Sequence, residues 1–141
     1  MFKKLLYIEN ASLQTDIGLL VLRIAFGGLM MRYGWQKFVN FSEYASGFLD
    51  FLWLGSEVSL GLAVFAELFC AFLIVIGLFT RWATIPLIIT MLVAFFQAHA
   101  NDTFDVKEHS LLFLFPYIAL LMTGGGKFSI DGSLFGMRRK Y

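Results

Sequence analysis

The chain is poor in the residues that most reactive sites are built from. Among 141 residues there is one cysteine, Cys70, inside an apolar run. A single thiol excludes an intramolecular disulfide, a Cys-x-x-Cys redox pair and any multi-cysteine metal site. Charge is scarce too: 15% of residues, with a net charge of +1. That balance excludes a broad nucleic-acid surface. It also leaves too few polar residues for the outward faces of a soluble helical bundle. Proline occurs twice, at Pro86 and Pro116. Pro86 sits a turn into its helix, while Pro116 removes a backbone bond and frees the Leu112 carbonyl for water or a ligand. The segment "TGGGKFSIDG" lacks the strand and spacing of a phosphate loop, and no serine-nucleophile motif occurs. Its glycines end a helix and turn the chain, and Asp131 is expected to cap the residues after it. His99, His109, Glu108 and Asp102 have metal-ligating side chains but no metal-site spacing, so no metal is expected.

What the chain has in quantity is apolar surface: 59% hydrophobic and 18% aromatic residues. A soluble domain this short cannot bury so much, and lipid is the expected solvent. Four stretches reach the roughly 17–25 residues needed to cross the hydrocarbon core, about 17–38, 59–79, 82–100 and 108–124. The fold class is therefore an all-α membrane protein, a four-transmembrane-helix bundle forming one domain over residues 1–141. Between spans one and two, "SEYASGFLDFLWLGSE" puts Tyr44, Phe48, Phe51 and Leu52 on one helical face and Glu43 and Asp50 largely on another. This predicts an amphipathic interfacial helix, an anchor or a lid.

Charge placement orients the spans. Lys3, Lys4, Arg81, Lys127, Arg138, Arg139 and Lys140 fall on one side; Glu43, Asp50, Glu57, Asp102, Asp105 and Glu108 collect on the other against Lys37 and Lys107. The positive-inside rule then places both termini in the cytoplasm of a bacterial inner membrane and the acidic loops outside. The start, "MFKKLLYIENASLQTD", is broken by Glu9 and Asn10. It reads as a mature cytoplasmic end at the membrane surface rather than a signal peptide. Trp35, Trp53 and Trp82 fall near the interfaces.

Two ionisable residues lie deep in spans, Arg23 in the first and Glu67 in the second, and such residues mark functional sites. Gly27 and Gly34 share a face with Arg23, and Ala63 and Ala71 flank Glu67, so the helices can approach closely there. A buried Arg23–Glu67 ion pair is expected, either fixing register or flooring a polar pocket. Towards the outside, Tyr33, Gln36 and Lys37 end the first span. Thr90 and Gln97 continue a small-polar stripe with Ala83, Ala94 and Asn101 on the third, and Glu108 opens the fourth. These residues are the expected lining of an outward-facing pocket, with His99 off the stripe.

The segments "LRIAFGGLMMRYGWQKF", "AELFCAFLIVIGLFTRWA" and "GGGKFSIDG" resemble the DoxX family of small bacterial membrane proteins. They match its Arg-to-Gln-Lys segment, its Glu-centred helix with Gly-Leu-x-Thr-Arg, and its Gly-x-Gly-x-x-Ser-x-Asp ending. The likeness runs from about Leu19 to Ser133, and the order and spacing of the segments carry it. One position departs: Tyr33 stands where many relatives have His. The resemblance implies a four-helix membrane bundle associated with respiratory or sulfur redox chemistry, because the related DoxD proteins are subunits of a thiosulfate–quinone oxidoreductase, and some DoxX proteins are linked to oxidative-stress complexes. The expected function is a quinone-linked redox membrane subunit without a redox centre of its own, its electrons carried by a quinone or a partner subunit. The competing expectation is a non-enzymatic scaffold, assembly factor or lipid-binding bundle, alone or as a homo-oligomer. Four helices without an internal repeat or paired broken helices argue against a transporter.

Overall fold

The computed structural model describes residues 13–135. The amino-terminal segment expected at the membrane surface and the basic tail at 138–140 lie outside the described residues. The described chain is helical, with α1 Leu13–Val39, α2 Phe41–Ala45, α3 Ser56–Ile76, α4 Thr80–Ala98, α5 Phe104–Thr123 and α6 Ile130–Phe135. Helices α1, α3, α4 and α5 are each long and apolar enough to cross a membrane. They run alternately up and down. The loops at 40–55 and 99–103 gather at one end, here the loop end. The turn at 77–79 and the segment 124–135 gather at the other, the turn end.

The helices differ from the predicted spans by a few residues for local reasons. Helix α3 stops three residues before the predicted boundary because Gly77 takes a left-handed conformation, φ 74°. Its N–H bonds the Ile74 carbonyl at 3.1 Å and the Leu78 N–H bonds Leu73 at 2.9 Å, the paired closure of a glycine-terminated helix. Phe79, at φ 48°, completes the turn and Thr80 starts α4.

Two stretches widen into π-helical turns, Phe65–Cys70 within α3 and Ala94–Ala98 at the end of α4. The second explains why the predicted α4 stripe does not run through. A wide turn breaks the regular period, so Ala83 is buried while Gln97 is exposed.

The amphipathic helix predicted between the first two spans is reduced to the five residues of α2. Beyond Ala45 the chain is irregular and held by side chain–backbone bonds. Asp50 accepts the Gly55 N–H at 2.8 Å and Ser59 accepts that of Phe51 at 2.8 Å. Short polar side chains of this kind compete with helix formation. Leu52 and Trp53 adopt positive φ, and Trp53 is 96% exposed at the loop tip.

The core joins Ile74, Leu87, Tyr117 and Leu120, all fully buried. Helices α1 and α5 close the ring of spans through aromatic groups: Phe26 meets Phe113 edge-on at 5.7 Å, and the Tyr117 hydroxyl donates to the Phe26 carbonyl at 3.0 Å.

Candidate functional site

Two polar centres sit inside the apolar bundle, and their partners are not those expected. Arg23 and Glu67 do not pair. Arg23, 1% exposed, spreads its guanidinium over main-chain carbonyls instead. Its Nε donates to Ile74 at 3.0 Å and Nη2 to Val75 at 3.1 Å; Nη1 donates to Gly125 at 2.6 Å and Phe128 at 3.0 Å. Ile74 and Val75 are in the last turn of α3, where carbonyls lack helical donors and the helix dipole is negative. The opposite formal charge nearby is Asp131.

Glu67 is paired with Lys37, whose Nζ lies 2.7 Å from Oε1 and 2.6 Å from Oε2. The reason is register. Gly34 packs directly on the backbone of Glu67: an added Cβ would fall 2.6 Å from both the Glu67 carbonyl carbon and the Leu68 nitrogen. Lys37 is one turn beyond Gly34 and faces the same way. Arg23 is about 16 Å back along the helix by its rise per residue, level with the end of α3.

Glu67 occupies the π-helical turn and its side chain is 4% exposed, against 23% for Lys37. Tyr117 and His109 lie within electrostatic range of its carboxylate. His109 also meets Tyr33 edge-on at 5.1 Å, and Tyr33 meets Phe113 at 6.0 Å. Lys37, Glu67 and His109 therefore group together, with Tyr33 packed on His109 towards the loop end and Tyr117 deeper along α5. They can hold and exchange protons, and they offer donors to a carbonyl or hydroxyl of a ligand head. π-Helical turns are frequent at such sites because they free and re-aim a side chain.

The remaining candidates do not all join this centre. Gln36, Gln97 and Glu108 are exposed, and the Thr90 hydroxyl is taken by the Pro86 carbonyl of its own helix at 2.7 Å. An open depression of about 570 Å³ lies instead in the 40–55 loop, lined by Asn40, Glu43, Tyr44, Ser46, Gly47 and Phe48. His99 pairs with Asp102 at 2.6 Å in the exposed loop end. No group of three or more His, Cys, Asp or Glu positioned for a metal occurs among the described residues.

The turn end holds functional groups that the sequence pointed to only partly. Asp131 does not cap the residues after it, as its position suggests. It caps α4 instead, Oδ1 accepting the Phe79 N–H at 2.7 Å and Oδ2 that of Thr80 at 2.9 Å. Its own N–H donates to the Gly77 carbonyl at 2.9 Å. Asp16, buried in α1, accepts the Lys127 N–H at 3.1 Å. Gly77 leaves room for this arrangement, since a Cβ there would come within 2.9 Å of the Arg23 guanidinium carbon. The segment after α5 is thus clamped to α1, α3 and α4 around Arg23. The signal for it was the "GGGKFSIDG" ending, whose partners lie about fifty and a hundred residues away in sequence.

Comparison with known proteins agrees with this architecture. An uncharacterised protein of Haemophilus influenzae is 26% identical over 125 residues, covering 83% of each chain. No solved structure matches the chain significantly. Residues 18–100, from the start of α1 through the Glu67 helix to the end of α4, match the DoxX family. A membrane-helix bundle with this match over more than half its length belongs to the DoxX family.

Proposed function

We propose that the chain is an inner-membrane subunit of a quinone-linked redox system, seating a quinone head against the Lys37–Glu67 centre. One observation carries the reading. A buried carboxylate in a π-helical turn is bridged to a part-exposed lysine, with His109 and Tyr117 within electrostatic range and Tyr33 packed on the far side of His109. Quinone reduction takes up protons with its electrons, and this centre groups exchangeable protons inside an apolar wall that suits a flat lipophile. The electrons come from a partner redox subunit. Lys37 and Tyr33 donate to the ligand oxygens, and Glu67 holds the proton-exchanging position. The termini lie in the cytoplasm and the centre in the outer half, as the positive-inside rule directs. Reporter fusions near Asp50 and Asp105 then read external; a cytoplasmic reading there inverts the assignment.

A second reading is favoured by one feature of the same pair. Both Glu67 oxygens lie on the Lys37 ammonium, so each charge already has its partner without a ligand. The chain would then be a non-enzymatic scaffold, assembly factor or lipid-binding bundle. Purification in mild detergent followed by mass spectrometry of bound small molecules separates the two. The redox reading expects a co-purifying quinone, lost in Lys37→Ala and retained in Lys107→Ala, whose lysine stands over the Phe95 ring at 5.5 Å. Absence of quinone from the native protein, or equal occupancy in both variants, removes this reading and leaves the scaffold.

A further inference from the structure

The α1–α5 seam carries a second polar group, on its outside. Tyr33 and His109 face each other across the seam. The two helices are antiparallel, so one step back from each facing residue turns both side chains to the same outer side of the contact. Those residues are Arg32 and Glu108, of opposite charge. Both are exposed, and neither has an ion-pair partner among the described residues. Gln36, one turn along from Arg32, is exposed on the same side. Towards the membrane centre the surface turns apolar with Leu29, Leu112 and Phe115, which are 50%, 58% and 63% exposed.

Depth narrows the occupant. Arg32 lies about 10 Å of helical rise from the loop end of α1 and Glu108 about 6 Å from that of α5. Long charged side chains at this depth reach the headgroup layer while their stems stay in hydrocarbon. A cation and an anion side by side at the edge of the hydrocarbon, above an apolar strip, complement a zwitterion with acyl tails. A purely anionic headgroup would satisfy Arg32 and meet repulsion from Glu108.

We propose that this face binds a phospholipid bearing a primary-amine headgroup, its phosphate on Arg32 and its ammonium on Glu108, with the acyl chains along Leu29, Leu112 and Phe115. The site is separate from the Lys37–Glu67 centre, which lies on the inner side of the same helices. Its test does not depend on a quinone.

The test is native mass spectrometry of the full chain released from nanodiscs of equimolar phosphatidylethanolamine, phosphatidylcholine and phosphatidylglycerol. Retained phosphatidylethanolamine is expected to exceed each of the others about threefold, the scale of a half-exposed charge pair. Phosphatidylcholine has no N–H to give Glu108, and phosphatidylglycerol has no cation. Arg32→Gln should lower retention of all three lipids, and Glu108→Gln should abolish the phosphatidylethanolamine excess alone. Glu57→Gln, a carboxylate on α3 away from this seam, should leave the preference intact. Retention that follows the lipid mixture in the native chain overturns the proposal without any variant, as does a dimer lost in Arg32→Gln while lipid retention is unchanged.

Discussion

Two cations of α1, Arg23 and Lys37, are handled in opposite ways. Arg23 is met by carbonyl oxygens: four bonds fan from one planar group to two chain segments, and the guanidinium is sealed from solvent. Lys37 is met by a single carboxylate and keeps part of its surface open. A guanidinium has five donors in a fixed fork and holds its charge at any accessible pH. It can therefore serve as a permanent bracket between the end of α3 and the turn after α5. An ammonium with one anionic partner is a different device. It keeps part of its surface open to solvent, while the carboxylate it holds is buried in a π-helical turn. The turn end is thus held by a sealed bracket, and the loop end by an ion pair that reaches solvent.

The comparison is broken most severely at Arg23. Arg23→Met leaves buried carbonyls without donors at the junction of α3 and the 124–129 segment. It should cost about 3–5 kcal/mol, since each buried carbonyl left unsatisfied costs about 1–3 kcal/mol. Arg23→Lys should recover little, because three donors on a flexible stem cannot reproduce the fork. Thermal unfolding in detergent measures both. A stable Arg23→Met protein would show that the bracket is dispensable.

At the other centre the loss should be smaller and reversible. Glu67→Gln strands Lys37, but the lysine already reaches the surface and can turn outward. About 2–3 kcal/mol is expected rather than the full buried-pair cost. The double variant Lys37→Met with Glu67→Gln removes the stranded charge and should regain much of the loss. Combining Arg23→Met with Glu67→Gln should give additive losses, since the two centres share no partner. A strong coupling between Arg23 and Glu67 in such a cycle would contradict the separate pairings.

These pairings also show what a linear reading can and cannot hold. The four spans were legible because length and apolarity alone specify a membrane helix. The importance of Arg23 and Glu67 was legible because a charge in hydrocarbon always needs an explanation. The identity of their partners was not. It depends on the relative register of α1 and α3, and Gly34 seated on the Glu67 backbone sets that register. Gly27 and Gly34 permit close approach, but two small residues do not say which level of the facing helix they meet. The turn-end clamp was hidden for another reason. Asp131 and Gly125 act on groups about fifty and a hundred residues distant, and no local pattern encodes that pairing. The π-helical turns changed the faces of Glu67 and Gln97, and a regular period cannot anticipate them.

The mildest change sharpens the comparison most closely around function. Tyr33 is joined to the Lys37–Glu67 centre through His109; it is 36% exposed, with its ring edge-on to His109 and Phe113. Tyr33→Phe keeps both ring contacts, each worth about 0.5–1.5 kcal/mol beyond burial. It removes only a hydroxyl at a half-open position, where water takes the place of a lost partner. The unfolding temperature should therefore stay unchanged within error. If the centre only holds helices together, nothing else changes either. If it seats a quinone head that the Tyr33 hydroxyl serves as donor, quinone occupancy after purification should fall while the bundle remains as stable as before. That separation of ligand from stability has no counterpart at Arg23, where every donor in use is bonded to the fold itself.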